Sequence, residues 1–181
     1  SPPTPGEPIF TNPTQAADSI VISEVYFDVA SDKGAESANE WIELYNPTAS
    51  SVDLVGWSVG AATTSADKLA TTSLILAPGE YLVVVADTAT ATATFWDFSL
   101  ASGVVSLGFT LSGGLANGGD EVRLYDASFA EIDAMSYGSD TDVFASPPDA
   151  SAGESVSRDP RDNDTDLGSD WVTSVIPNPG S

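Results

Sequence analysis

Asn39-Glu40-Trp41-Ile42-Glu43-Leu44-Tyr45-Asn46-Pro47 is the stretch that decides the fold. Trp41, Glu43 and Tyr45 alternate with Ile42, Leu44 and Asn46, a period of two that belongs to a strand, and Asn46-Pro47 punctuates its end. Upstream, Ile20, Ile22, Glu24 and Tyr26 alternate with Val21, Ser23, Val25 and Phe27, which predicts a second strand with those two sets on opposite faces. Downstream, β-branched or aromatic runs recur at 52–54, 57–59, 74–76, 81–85, 104–111, 121–125 and 132–137, most of them followed by Gly, Pro, Asn or Asp. Eight or more short strands without a helical period predict an all-β, antiparallel β-sandwich.

Two stretches break the pattern. Residues 86–95 are an Ala/Thr run, expected as a solvated excursion or edge element. Residues 140–170 hold few large apolar side chains and many Asp, Ser and Gly, and are expected as a long acidic loop region before a last strand at 171–175. The Pro-rich opening, residues 1–18, is expected as an extension or linker, the sandwich as 19–176, and the closing 177–181 as a tail.

Composition excludes several chemistries. The 181 residues include 27 Asp+Glu against 5 Lys+Arg, for a net charge of -22, with no histidine and no cysteine. Zinc, iron-sulfur and blue-copper centres need thiolate or imidazole, and the serine and cysteine triads need a histidine base. A dense negative field repels phosphate backbones and anionic lipid, so neither nucleic acid nor a membrane is an expected partner. No apolar run is long enough to span a bilayer. The Pro/Ser/Thr ends predict an extracellular or cell-surface module, exposed after removal of a signal peptide.

Several motifs together resemble a family. Ile20 to Val25, Asn39 to Asn46, Val52-Asp53-Leu54-Val55-Gly56-Trp57, Leu76-Ala77-Pro78-Gly79-Glu80-Tyr81 and Leu115 to Leu124 look like a lamin-tail domain of the prokaryotic, secreted kind, and Gly153 to Arg158 with Asp170-Trp171-Val172 look like its closing part. The resemblance, over about residues 19 to 180, implies an immunoglobulin-like sandwich with no catalytic activity. The physical reading agrees: Trp41 and Trp57 fall where a core is expected, Pro78-Gly79 where a turn feeds a strand, and Asn117-Gly118-Gly119-Asp120 where a hairpin loop needs positive φ. No heptad rod and no basic surface accompany the motifs, so coiled-coil assembly and chromatin binding do not carry over.

The carboxylates are the groups with chemistry to offer. Asp162, Asp164, Asp166 and Asp170, with Asp159 nearby and Gly168 to turn the chain, resemble half of an oxygen-ligand calcium loop. Asp28, Asp32, Glu36 and Glu40 form a second candidate calcium cluster between the first two strands. Glu24 and Glu43 lie inside strands, so burial there calls for Arg123, Arg158, backbone amides or a metal, with an internal tie between sheets the expected outcome. Dispersed acids would instead signal a surface adapted to high salt. Acid pairs could also serve glycoside hydrolysis, but 27 acids make such pairs unavoidable and so unspecific; Phe95, Trp96 and Phe98 form a clustered aromatic feature that could stack on a sugar or dock a partner. Asn163-Asp164-Thr165 is the one N-glycosylation sequon not blocked by proline.

The expected function is a non-enzymatic structural or adhesive module, a calcium-stabilised subunit of a surface filament, with an accessory binding module of a larger secreted enzyme as the alternative. Ile9-Phe10 gives the Pro-rich opening an apolar anchor, so self-association by donation of that segment as a strand is also expected.

Overall fold

β-branched and aromatic side chains pair into strands across the computed structural model, which describes residues 18–60, 66–86, 103–108 and 110–180. The strands are β1 (Val21–Tyr26), β2 (Trp41–Tyr45), β3 (Val52–Asp53), β4 (Ser58–Gly60), β5 (Asp67–Lys68), β6 (Ile75–Leu76), β7 (Tyr81–Val85), β8 (Val104–Ser106), β9 (Gly119–Tyr125), β10 (Glu131–Gly138), β11 (Ser155–Arg158) and β12 (Trp171–Ser174). A six-stranded sheet runs β12-β11-β1-β2-β7-β8, a four-stranded sheet runs β10-β9-β4-β5, and β3 pairs with β6. Pairing is antiparallel except where β8 joins β7 in parallel. The expected immunoglobulin-like β-sandwich is what forms. The 86–95 excursion, the Phe95/Trp96/Phe98 cluster and Ile9-Phe10 lie outside the described residues, apart from Ala86.

The core between the sheets takes Ile22, Val25, Ile42, Leu44 and Val84 from one side and Val59, Val122, Leu124, Met135 and Tyr137 from the other. Each such side chain contributes about 1.5–3 kcal/mol on burial. Phe27 stacks on Tyr137 across the gap, with ring centroids 3.9 Å apart.

Strict alternation along β1 does not hold. Ile22 stands opposite Leu44 and Glu24 opposite Glu43, so Ser23 is an extra residue, a β-bulge. The bulge resets the phase: Ile20 and Ile22 before it and Val25 and Phe27 after it all reach the core, while Glu24 and Tyr26 turn to the outer face. One added residue thus places a carboxylate on the side away from the core.

That outer face is buried too. Tyr26, Val29, Trp41, Val83 and Val85 form a second cluster, with Tyr26 and Trp41 stacked at 5.6 Å. Trp41 is therefore buried as expected, but behind the six-stranded sheet instead of between the sheets; Trp57 does join the inter-sheet core.

The long acidic loop expected at 140–170 is interrupted by β11, which pairs with β1 and β12 inside the large sheet. Ser155-Val156-Ser157-Arg158 has one large aliphatic side chain, so no hydrophobic alternation marks it, yet all four residues are buried. Asn46, fully buried, fixes the approach to β7 by donating from Nδ2 to Leu76 O at 2.8 Å, while its own carbonyl accepts from Gly79 N at 2.8 Å. Gly79 adopts φ +74°, the turn conformation that Pro78-Gly79 predicts.

Candidate functional site

Among the described residues, the most chemically interesting groups are withdrawn from water in three places. The first is the outer face of the large sheet. The β1 bulge and the alternation of β2 set Glu24 and Glu43 side by side, both fully buried. Arg161 spans them, Nη1 donating to Glu43 Oε1 at 2.5 Å and Nη2 to Glu24 Oε2 at 3.2 Å. Ser23 Oγ donates to Glu43 Oε1 at 2.6 Å and Ser155 Oγ to Glu24 Oε1 at 2.5 Å. The closing segment lies over the pair: Asn178 N donates to Glu24 Oε1 at 3.3 Å, and Gly180 N donates to Glu43 Oε2. Residues 177–180, expected as a tail, are thereby tied to the sheet. Burial pushes the Glu43 carboxyl up to about 7, against the pull of Arg161 and its hydrogen bonds.

Arg158 organises the second centre, between the sheets. Its Nη2 meets both oxygens of Asp133 at 2.9 and 3.1 Å, its Nη1 donates to Asp164 Oδ1 and Asn163 O, and its Nε donates to Ile22 O at 3.1 Å. The Trp171 ring lies 4.8 Å from the guanidinium carbon. Asp133 also accepts from Ile22 N at 2.7 Å, and burial raises its carboxyl despite Arg158. This is the tie between sheets, and it uses Asp133, a residue the sequence reading passed over. Its signal was present: Asp133, Met135 and Tyr137 share one face of β10, and the latter two are core.

The third centre is Glu40, whose two oxygens accept from Ser37 N and Leu115 N, each at 2.9 Å. Burial pushes its carboxyl up to about 7, with Glu36 and Asp120 adding repulsion.

The expected calcium ligands are spread over several tasks. Asp170 is fully buried and accepts from Asn163 Nδ2, Thr165 N and Thr165 Oγ1 at 2.7–2.8 Å. Asp164 is held by Arg158, while Asp159, Asp162 and Asp166 are exposed. In the 28–40 connection Glu36 accepts from Val29 N and Asn117 Nδ2, and Asp32 is exposed. Asp28 is half-buried; its carboxyl is raised, first by burial and then by Glu36. Among the described residues no three acids are arranged to hold a metal. Arg123 serves neither Glu24 nor Glu43; it pairs with Glu121 and Glu131 at 2.6 Å. The sequon asparagine, Asn163, is buried with its amide nitrogen donating to Asp170.

Two open grooves flank these centres. One of about 410 Å³ lies between 143–146 and 166–169, where Gly168 packs so closely on Ser146 that a Cβ would fall 2.0 Å from its carbonyl oxygen. The other, about 230 Å³, runs beside β12. Carboxyls raised toward neutrality are what proton transfer requires. Here, however, their oxygens are occupied by the chain's own donors, so the arrangement acts as a set of internal fastenings.

A model of the Lamin Tail Domain family matches residues 13–139. The match takes in β1 to β10 with Glu24, Glu43 and Asp133, and stops short of β11, β12, Arg158 and Arg161, which the resemblance had included. No curated protein matches the chain.

Proposed function

The chain belongs to the lamin-tail domain family, and from that premise we propose that it is a non-enzymatic structural module of an extracellular surface, cohering with further copies of itself. The observation that carries this reading is the closure of Glu24 and Glu43. They form a buried carboxylate pair of the kind a hydrolase would expose, and here they are covered by Arg161 and the residues around Asn178. Buried charge spent on internal hydrogen bonds stabilises one arrangement of sheets and segments and leaves no oxygen for a substrate. The Pro/Ser/Thr-rich ends and the highly charged, well-hydrated surface support an extracellular setting.

The test is electron microscopy and sedimentation of the purified chain at about 0.15 M and about 2 M salt, since screening must offset the charge of -22 before copies can approach. Ordered assemblies that grow with salt are expected, together with antibody labelling on the outside of intact cells. Dispersed monomers under every condition would overturn the cohesive role, and turnover of a polysaccharide by the purified chain would overturn the non-enzymatic one.

A further inference from the structure

Resting on that cohesive reading, we infer where copies join: the outer edge of β12 accepts, as an added strand, the 1–17 segment of a second copy. β12 is the terminal strand of the large sheet and pairs on one side only, with β11. An edge of unpaired N–H and C=O groups is a template for an incoming strand. The other edges offer less. β10 is covered through its backbone, Gly138 N donating to Pro148 O, whereas β12 meets the same segment through a side chain, Thr173 Oγ1 donating to Asp149 O; β5 and β8 are two and three residues long.

Exposed apolar side chains lie on and just after β12, beside a groove that Asp159 and Arg161 help to line. Val172, Val175 and Ile176 are 45, 71 and 77% exposed, three of the seven large apolar side chains that the described residues leave to solvent. Beside them runs the groove of about 230 Å³, with Ser157, Arg161 and Asn178 opposite Val172. Ser157 Oγ in its floor is buried without a hydrogen-bond partner among the described residues. Ser157 stands on β11, one strand in from that edge, so a strand laid along β12 would cover the valines and leave this hydroxyl as it is.

Residues 1–17 suit that edge. Pro8 and Pro13 bracket Ile9-Phe10-Thr11-Asn12, four residues, the length of β12. Proline is tolerated at the ends of an edge strand and not within a sheet. Alternation sends Ile9 and Phe10 to opposite faces, one of them toward Val172. Charge points the same way: residues 1–17 carry only Glu7 and residues 171–180 carry no charged side chain, so these two segments meet with little repulsion in a chain of net charge -22. From Phe10 to Asp18, ahead of β1, the chain can span roughly 26–29 Å, enough to reach a neighbour. Each copy donates one segment and accepts another, so the contact is heterologous and propagates.

The natural absence of cysteine makes cross-linking a clean test. Full-length chains carrying Val172→Cys are mixed with chains carrying Phe10→Cys, or with chains carrying Ile9→Cys, at a salt concentration where the wild type assembles, and are then oxidised. Heterodimer in large excess over either homodimer is expected with one of the two donors. The double variant should give a ladder of multimers on a non-reducing gel, and deletion of residues 1–17 should leave monomers in sedimentation. Heterodimer at the level of random homodimers, or a double variant that closes only on itself, overturns the inference. If the deleted chain assembles like wild type, cohesion stands and this joint is wrong; if the wild type never assembles, cohesion itself has failed.

Discussion

Glu24 and Glu43 stand opposite each other on adjacent strands, without solvent exposure, and share the one guanidinium of Arg161. When both acids are ionised, one arginine leaves a surplus negative charge, which backbone N–H groups from the closing segment and two serine hydroxyls help to hold.

Arg161→Ala should therefore destabilise the fold by about 3–5 kcal/mol, because it strands buried charge instead of removing a surface pair. Arg161→Lys should lose an intermediate amount, since an ammonium cannot span both carboxylates as a planar fork does. Urea unfolding measures both. A loss below about 1 kcal/mol for the alanine variant would mean that the pair behaves as a solvent-exposed one.

The Asp133–Arg158 tie predicts a different pattern. Arg158→Met alone should cost about 3–5 kcal/mol by leaving Asp133 buried and unpaired, and most of that loss should return when Asp133→Leu is added, because a buried ion pair replaced by apolar side chains is often near neutral. A double-mutant cycle reads the coupling. Additive losses in the double variant would show that Arg158 acts through Ile22, Asn163 and Trp171 instead.

Stability should fall as pH rises from about 4.5 to about 7. Glu40 and Glu43 are raised from 4.5 to about 7 by burial, so across that window the folded chain binds more protons than the unfolded one; the slope of stability on pH is then negative, and it levels off above the folded values. The urea midpoint should be higher at about pH 5 than at about pH 8. Glu40→Gln should lower stability at both values, because an amide nitrogen would face Ser37 N or Leu115 N, but should shrink the difference between them. An unchanged difference would assign the slope to general charge repulsion.

Calcium should leave the melting midpoint unchanged relative to chelator at fixed ionic strength, to within about a degree, because Asp170, Asp164 and Glu40 already have donors on their oxygens. A rise of several degrees with calcium, reversed by chelator, would place an ion on the exposed acids Asp159, Asp162 and Asp166 or on Asp28 and Asp32.

Local pattern made much of the fold legible. A period of two marked β2, β-branched and aromatic runs marked β7, β9 and β10, and Asn-Pro and Pro-Gly marked turns, because side-chain pattern and turn chemistry are properties of a few consecutive residues. The burial of Glu24 and Glu43 could also be foreseen, since carboxylates inside such runs must face something. β11 could not, because two serines and an arginine carry no apolar alternation and become a strand only when β1 and β12 flank them.

The sequence by itself determined the class: an acidic, cysteine-free and histidine-free chain whose strands must close into a sandwich, without thiolate or imidazole chemistry. Tertiary structure alone decided which arginine answers which acid. Arg161, 118 residues from Glu43 along the chain, reaches it only because the segment after β11 folds over the outer face, and Asp133 meets Arg158 only because two sheets pack. Partners so distant are chosen by how whole layers stack, and a one-residue bulge at Ser23, set by the register of β1 on β2, decides which side of the sheet the charge occupies.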